Sequence, residues 1–307
     1  MQPITINRAM SAREWTLLFV LSVLWGGTFY FVAVAVKELP PLTLAALRVS
    51  VGLLTLLLVL LIIGHRLPRS REAWVAFLGM GLLNNAGPFV LLNWGQAHIP
   101  SGVASIFLGT TPFFAAILAH VYTHDERLTG GRLFGVIAGM IGIAAMVGAS
   151  AVHALTSDVA GQLAVMLAAI GYAIAGLWGR RFARLGIGPL IASAGMMIVS
   201  SATLVPIALI IDRPWTLPLP SPGALGAVLG LAIPSTALAY VIYFRLLRTV
   251  GATNLMLVTF LMPVTAILLG VTFLGEHLEP RHIAGMSLIA LGLAAIDGRV
   301  WRLLPGK

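Results

Sequence analysis

Apolar residues in this chain neither alternate with polar ones, as in a half-buried strand, nor gather on one face, as in a surface helix. They come in long runs that are apolar on every side, separated by short segments rich in Pro, Gly and charge. Ten runs stand out: 15–36, 42–63, 73–94, 101–121, 131–149, 160–179, 189–211, 223–245, 253–274 and 281–297. About 20 apolar residues cross the hydrocarbon core as a helix, and the runs have about that length. Barrel strands are about 10 residues long with alternating polarity, so helices are predicted. The expected fold is an all-α membrane protein with ten transmembrane helices. Its predicted organisation is a cytoplasmic tail at 1–14, a five-helix unit at 15–149, a second at 150–298 and a basic cytoplasmic tail at 299–307. Arg8 and Arg13 precede the first run, and Ala33-Val34-Ala35 resembles a leader cleavage site. The run from Trp15 to Val36 is too long for a leader core, so it is read as the first transmembrane helix.

Loop charge sets the orientation. Of the 19 basic residues, Lys37, Arg213 and Arg281 fall in one alternating set of loops, Arg48 lies inside a span, and the other fifteen fall in the opposite set and the tails. Basic loops favour the cytoplasm, which predicts that both termini are cytoplasmic. An error of one helix would scramble this alternation.

The chain also repeats itself at an offset of about 150 residues. Pro112-Phe113-Phe114-Ala115-Ala116-Ile117-Leu118 is similar to Pro263-Val264-Thr265-Ala266-Ile267-Leu268. Glu126 and Leu128 match Glu276 and Leu278, and Gly135 and Gly142 match Gly285 and Gly292. Five helices per half is an odd number, so the halves are expected to be inverted. Many secondary transporters have this arrangement, with the substrate near the midplane between the halves.

Composition removes several classes of function. The chain is 59% hydrophobic and only 9% charged, against roughly a quarter charged in soluble domains. A net charge of +9 could suggest nucleic acid, but the basic residues sit in short loops between apolar runs, so no nucleic-acid partner is expected. With no cysteine, thiolate metal sites, disulfides and cysteine nucleophiles are excluded. No cofactor or metal motif appears. Neither HExxH, a Walker loop nor a dinucleotide fingerprint is present, so an integral membrane enzyme is the weaker alternative and ATP-driven pumping is unsupported.

Several residues together resemble a known family. They are Trp25-Gly26 in the first span, Pro40-Pro41 before the second and Arg48 inside it. Pro112 with Glu126-Arg127-Leu128 follows, and Pro263 with Glu276-His277-Leu278 repeats that part. Their order and spacing resemble the drug/metabolite transporter superfamily, in its ten-helix branch with duplicated EamA-type halves, over about 15–297. The resemblance implies a bacterial inner-membrane exporter of amino acids, related metabolites or drugs, with cytoplasmic termini. Arg48 has no basic counterpart in the seventh span, so any role it has need not be duplicated.

Polar residues and helix breakers gather at mid-depth: Trp25, Asn84, Asn85, Pro88, Thr111, Pro112, Tyr172, Pro234, Ser235, Thr236 and Pro263. Proline removes a backbone donor and kinks a helix. In lipid such breaks are tolerated where they face protein or a wet cavity. Pro88, Pro112, Pro234 and Pro263 are the expected hinges. At the 150 offset Asn84-Asn85 falls on Pro234-Ser235, and matched interruptions in two halves point to a binding site. Adjacent amides on an α-helix point about 100° apart, so at most one of Asn84 and Asn85 is expected to face a given cavity. Trp25, Tyr172 and Tyr240 supply aromatic walls. Arg48 either pairs with a substrate carboxylate or snorkels to the outer interface. The expected substrate contacts are Trp25, Arg48, Asn84, Asn85, Thr111, Tyr172, Ser235, Thr236 and Tyr240.

All ten carboxylates fall in loops or at helix ends. None sits at mid-depth to carry a proton, which favours facilitated movement over carboxylate-mediated proton exchange. Glu126 and Glu276 each lie before the last span of a half and are expected to cap that helix. Gly131, Gly135 and Gly139 line one face of the fifth span, suiting either an intramolecular contact or a homodimer seam. The polar residues thin out toward both faces, favouring alternating access over a channel. The predicted function is export of small metabolites, namely amino acids, related amphipathic or aromatic compounds, or drugs, across the bacterial inner membrane by alternating access, with membrane lipid as the surrounding partner. A lipid or lipid-linked metabolite flippase of the same architecture is the alternative.

Overall fold

The computed structural model describes residues 10–122, 130–147, 157–255 and 258–297. Glu126, most of the N-terminal tail and the C-terminal tail lie outside them. Among the described residues the chain is helical and has no strand. Helix α1 spans Ala12–Ala35 and α2 Pro41–Ile63. The third rod joins α3 (Arg71–Met80), a π-helical segment Gly81–Ala86 and α4 (Gly87–Gln96). The fourth is interrupted, as α5 (Ser101–Leu108) and α6 (Thr111–Tyr122). Helices α7 (Gly130–Val147), α8 (Ser157–Arg184) and α9 (Pro189–Ile211) follow. Then come α10 (Pro222–Ala232), a second π segment Ile233–Leu238 and α11 (Ala239–Leu255), and finally α12 (Val258–Leu274) and α13 (Pro280–Asp297). Seven rods among the described residues are long and apolar enough to cross a bilayer, and shorter apolar helices cover Leu133–Gly142 and Leu261–Leu274.

Local chemistry sets the helix ends. Ser11 and Glu14 form a capping box on α1, with the Ser11 backbone N–H donating to Glu14 Oε2 at 2.8 Å. Proline opens α2, α9 and α10, where its missing N–H costs nothing. Gly64 ends α2 at φ 74°, a left-handed conformation favourable to glycine. The outer faces stay apolar: Leu54, Leu58, Leu61 and Ile62 of α2 are all exposed, as expected of a lipid-facing surface.

The helices pack in mutually exchanged pairs. Helix α2 lies against α9, and α7 against α13. Helix α1 packs on α12 and α10, while α8 packs on α5, α6 and α4. Exchanging the two halves maps each of these contacts onto another. Glycines make the closest approaches. A Cβ on Gly142 would stand 2.8 Å from the Gly285 carbonyl, and one on Gly292 would stand 2.5 Å from the Gly135 carbonyl. The four glycines that mark the repeat in sequence thus meet reciprocally, so the Gly135 stripe packs within the chain against α13.

Three carboxylates cap helices of the opposite half. Glu38 Oε2 accepts from the Ser221 N–H and Oε1 from its hydroxyl, both at 2.6 Å, at the start of α10. Asp212 accepts from the Thr43 N–H at 2.8 Å and its hydroxyl at 2.6 Å, near the start of α2. Glu276 accepts from the Ser101 N–H at 2.7 Å, the Ser101 hydroxyl at 2.9 Å and the Gly102 N–H at 3.1 Å. Glu276 therefore caps α5 rather than α13. The hairpin before α13 brings it beside Gly270, where a Cβ would lie 2.5 Å from Glu276 Oε2, so only glycine leaves room for the carboxylate.

Candidate functional site

Both π segments lie in the third rod of their half, at corresponding positions along it. Proline sits in or just after each: Pro88 follows the first and Pro234 is inside the second. A π turn shifts the hydrogen-bond ladder from i→i+4 to i→i+5 and recurs at functional sites. Side-chain hydroxyls take up displaced carbonyls. The Ser200 hydroxyl of α9 lies 3.0 Å from the Gly81 carbonyl. Thr236 Oγ1 donates to the Leu231 carbonyl at 2.8 Å. Gly81 lets the first π segment approach α9, since a Cβ there would lie 2.8 Å from the Met196 carbonyl. A Cβ on Gly52 of α2 would stand 3.5 Å from Thr236 Cγ2, so α2 lies against the second π segment there.

Polar side chains tie the first segment to α11, just beyond the second, and the second segment to α2. Asn84 Nδ2 donates to the Tyr240 hydroxyl at 2.8 Å and to Asn85 Oδ1 at 3.0 Å. The Tyr240 hydroxyl donates to Asn85 Oδ1 at 3.3 Å. Asn85 Nδ2 donates to Ser200 Oγ at 3.2 Å. Both amides therefore join one network, because Tyr240 bridges them. Arg48 comes from α2. Its Nε donates to Thr236 Oγ1 at 3.0 Å, and its guanidinium lies 3.7 Å from the Phe89 ring centroid. Arg48 is only 5% exposed and so does not snorkel to an interface. Tyr172 of α8 packs on the same cluster as Phe89 and Tyr240, within electrostatic reach of Arg48.

Arg48, Asn84, Asn85, Tyr172, Thr236 and Tyr240 are thus brought together. Ser235 is buried beside Thr236, and its Oγ has no hydrogen-bond partner. Two predicted contacts lie elsewhere. Trp25 packs on Tyr243, ring centroids 5.4 Å apart, in the cluster of α1 with α11 and α12. Thr111 donates to the Leu108 carbonyl at 2.7 Å. Pro112 has no N–H to offer that carbonyl, so Thr111 repairs the break between α5 and α6. Pro263 leaves α12 continuous and lines, with Gly109, an apolar cavity of about 40 Å³. Phe89, Ser200, Met196 and Met197 belong to the polar cluster's surroundings but carry no signal in the sequence. Each sits in an apolar helix where a ring, a thioether or a lone hydroxyl reads as ordinary packing.

Long apolar helices in exchanged pairs, joined at matched breaks by polar side chains, are the build of a multi-pass transporter of the cell inner membrane rather than of an enzyme. The chain belongs to the EamA-like transporter family, of the drug/metabolite transporter superfamily, whose model matches residues 13–148 and again 159–296. It is 25% identical to the uncharacterized transporter YoaV of Bacillus subtilis, over 89% of this chain and 92% of that one. It is 27% identical to the uncharacterized inner membrane transporter YedA of Escherichia coli K12, over 91% and 89%. It is also 27% identical to a Salmonella typhimurium protein named a probable amino-acid metabolite efflux pump, over 92% and 94%. A solved crystal structure shares the fold at TM-score 0.66 and 20% identity, covering 94% of this chain and 98% of that one.

Proposed function

We propose that this protein is a secondary transporter that exports small amphipathic metabolites, amino acids and related compounds, by alternating access. In this reading the chain crosses the membrane ten times as a five-plus-five inverted repeat with both termini cytoplasmic. The observation that carries it is the pair of π segments at corresponding positions of the repeat, each bonded to a helix of the other half through Asn84–Tyr240 and Thr236–Arg48. Irregular backbone at bilayer depth is tolerated where it lines a site. In the described conformation Asn84, Asn85, Tyr240 and Ser200 hydrogen-bond to one another. Parting the halves frees them to bind a ligand's polar groups, and closing around the ligand re-forms an equivalent network. With no carboxylate at that depth, movement down the substrate's own gradient is the proposed mode.

The test is efflux from proteoliposomes loaded with a labelled amino-acid and metabolite panel, with and without a pH gradient. Saturable efflux without a gradient is expected. Asn85→Ala, which strips partners from Tyr240 and Ser200, should lower it about tenfold, the effect of roughly one buried hydrogen bond. Absence of flux for every soluble compound, in protein shown to be folded, would instead point to a lipid carrier.

A further inference from the structure

Charged side chains inside a membrane protein are usually paired with one another. Arg48 is not. Its neighbours are a neutral hydroxyl, Thr236, and a ring, Phe89. Nη1 is buried and has no hydrogen-bond partner. The guanidinium cannot release its proton, and no carboxylate of the chain falls in the middle of a predicted span. Three of those carboxylates are already committed to helix starts. A buried cation with no anion is unfavourable in a low-dielectric interior, so a group from outside the chain must complete it.

We infer that the ligand of this site is a monoanion, specifically a carboxylate, and that Arg48 is the residue that binds it. The inference rests on the transport reading above. Arg48 is the one basic residue well inside a predicted span, which matches a single negative charge better than a phosphate monoester. The planar guanidinium fork suits a carboxylate. Nothing anionic waits for an ammonium group. The neutral acceptors at hand are the Tyr172 and Tyr240 hydroxyls and the partnerless Ser235 Oγ. Acids and zwitterions are therefore accepted, and the corresponding amides and amines are rejected.

The experiment compares leucine and phenylalanine with their amides and with isoamylamine and phenethylamine. It uses counterflow in phosphatidylcholine vesicles and ligand-induced shifts in melting temperature in detergent. The wild type should prefer the carboxylates at least tenfold, and Arg48→Gln should abolish that preference. Arg48→Lys should keep part of it. Ligand-free Arg48→Gln should melt no lower than the wild type, because it removes an uncompensated charge, and a purely structural arginine would show the opposite. Equal handling of acids, amides and amines overturns the inference and leaves the transport reading standing. No saturable movement of any compound by folded protein overturns both. A melting shift produced by added phosphatidylglycerol, lost in Arg48→Gln and absent with amino acids, would assign the anion to a lipid phosphodiester and overturn the carboxylate.

Discussion

The two halves share a backbone irregularity and fill it with different chemistry. In the first, Gly81–Ala86 carries two amides, Asn84 and Asn85. In the second, Ile233–Leu238 carries Pro234, Ser235 and Thr236. The fourth rods differ the other way: the chain breaks between α5 and α6, yet α12 runs straight through Pro263. Duplication has kept the position of the third-rod break while its side chains diverged. A two-fold scaffold thereby surrounds an asymmetric set of groups, with one arginine on one side only. That asymmetry is what a small asymmetric metabolite requires.

The likeness between the halves is most severely tested at the α7–α13 seam. Gly292→Ala places a methyl 2.5 Å from the Gly135 carbonyl and 2.9 Å from the Gly139 nitrogen. Both are backbone atoms that cannot turn aside. It should cost about 1–3 kcal/mol, the usual range for overpacking, and Gly142→Ala should cost a similar amount. The double variant should be less destabilising than the sum, because one separation of the helices relieves both clashes. Melting in detergent measures this, and a neutral Gly292→Ala would break the comparison.

The next effect in size is at Glu276. Glu276→Gln keeps the shape but removes the charge from two backbone N–H groups and a hydroxyl, and should lower stability by about 1–2 kcal/mol. A compensating loss of exchange protection at Ser101 and Gly102, with none at the start of α13, would sharpen the assignment of this cap to the other half.

The smallest effect is a pH dependence at Glu38. The hydroxyl and backbone N–H of Ser221 hold this exposed carboxyl below its ordinary pKa of 4.5. Because the folded-state value is depressed, the stabilisation is complete above the unfolded carboxylate range and disappears as pH falls through the lower folded value. Ser221→Ala should therefore melt below the wild type near neutrality, and the gap should narrow below about pH 4 to what remains from losing the Ser221 cap on the Ala224 N–H. A gap that widened in acid would be the opposite sign.

Much of the fold could be read from apolar run length, because lipid demands long apolar helices and nothing else in the sequence looks like them. The repeat was readable from Pro112, Pro263 and the four glycines, and the reciprocal meeting of Gly142 with Gly285 and of Gly292 with Gly135 gives it a physical cause. Position near the middle of a run singled out Asn84, Asn85 and Thr236, and its aromatic ring singled out Tyr240. Depth does not say which way a residue faces, so Trp25 and Thr111 were grouped with a site they do not join. The π winding was not legible, since it depends on tertiary contacts with α9 and α2. Phe89 and Ser200 were missed for the same reason. Glu276 was read correctly as a cap but assigned to the wrong helix, because sequence proximity favours the neighbouring α13 and only the packing brings α5 nearer.

The three cross-half caps share a direction. In the ten-crossing reading, Glu38, Asp212 and Glu276 all sit in loops on one side of the membrane, and each holds a helix start belonging to the other half. They form a clasp that fastens in three places and undoes from one side only. Because each one joins a helix start of one half to a carboxylate of the other, separating the halves on that side would break all three contacts together.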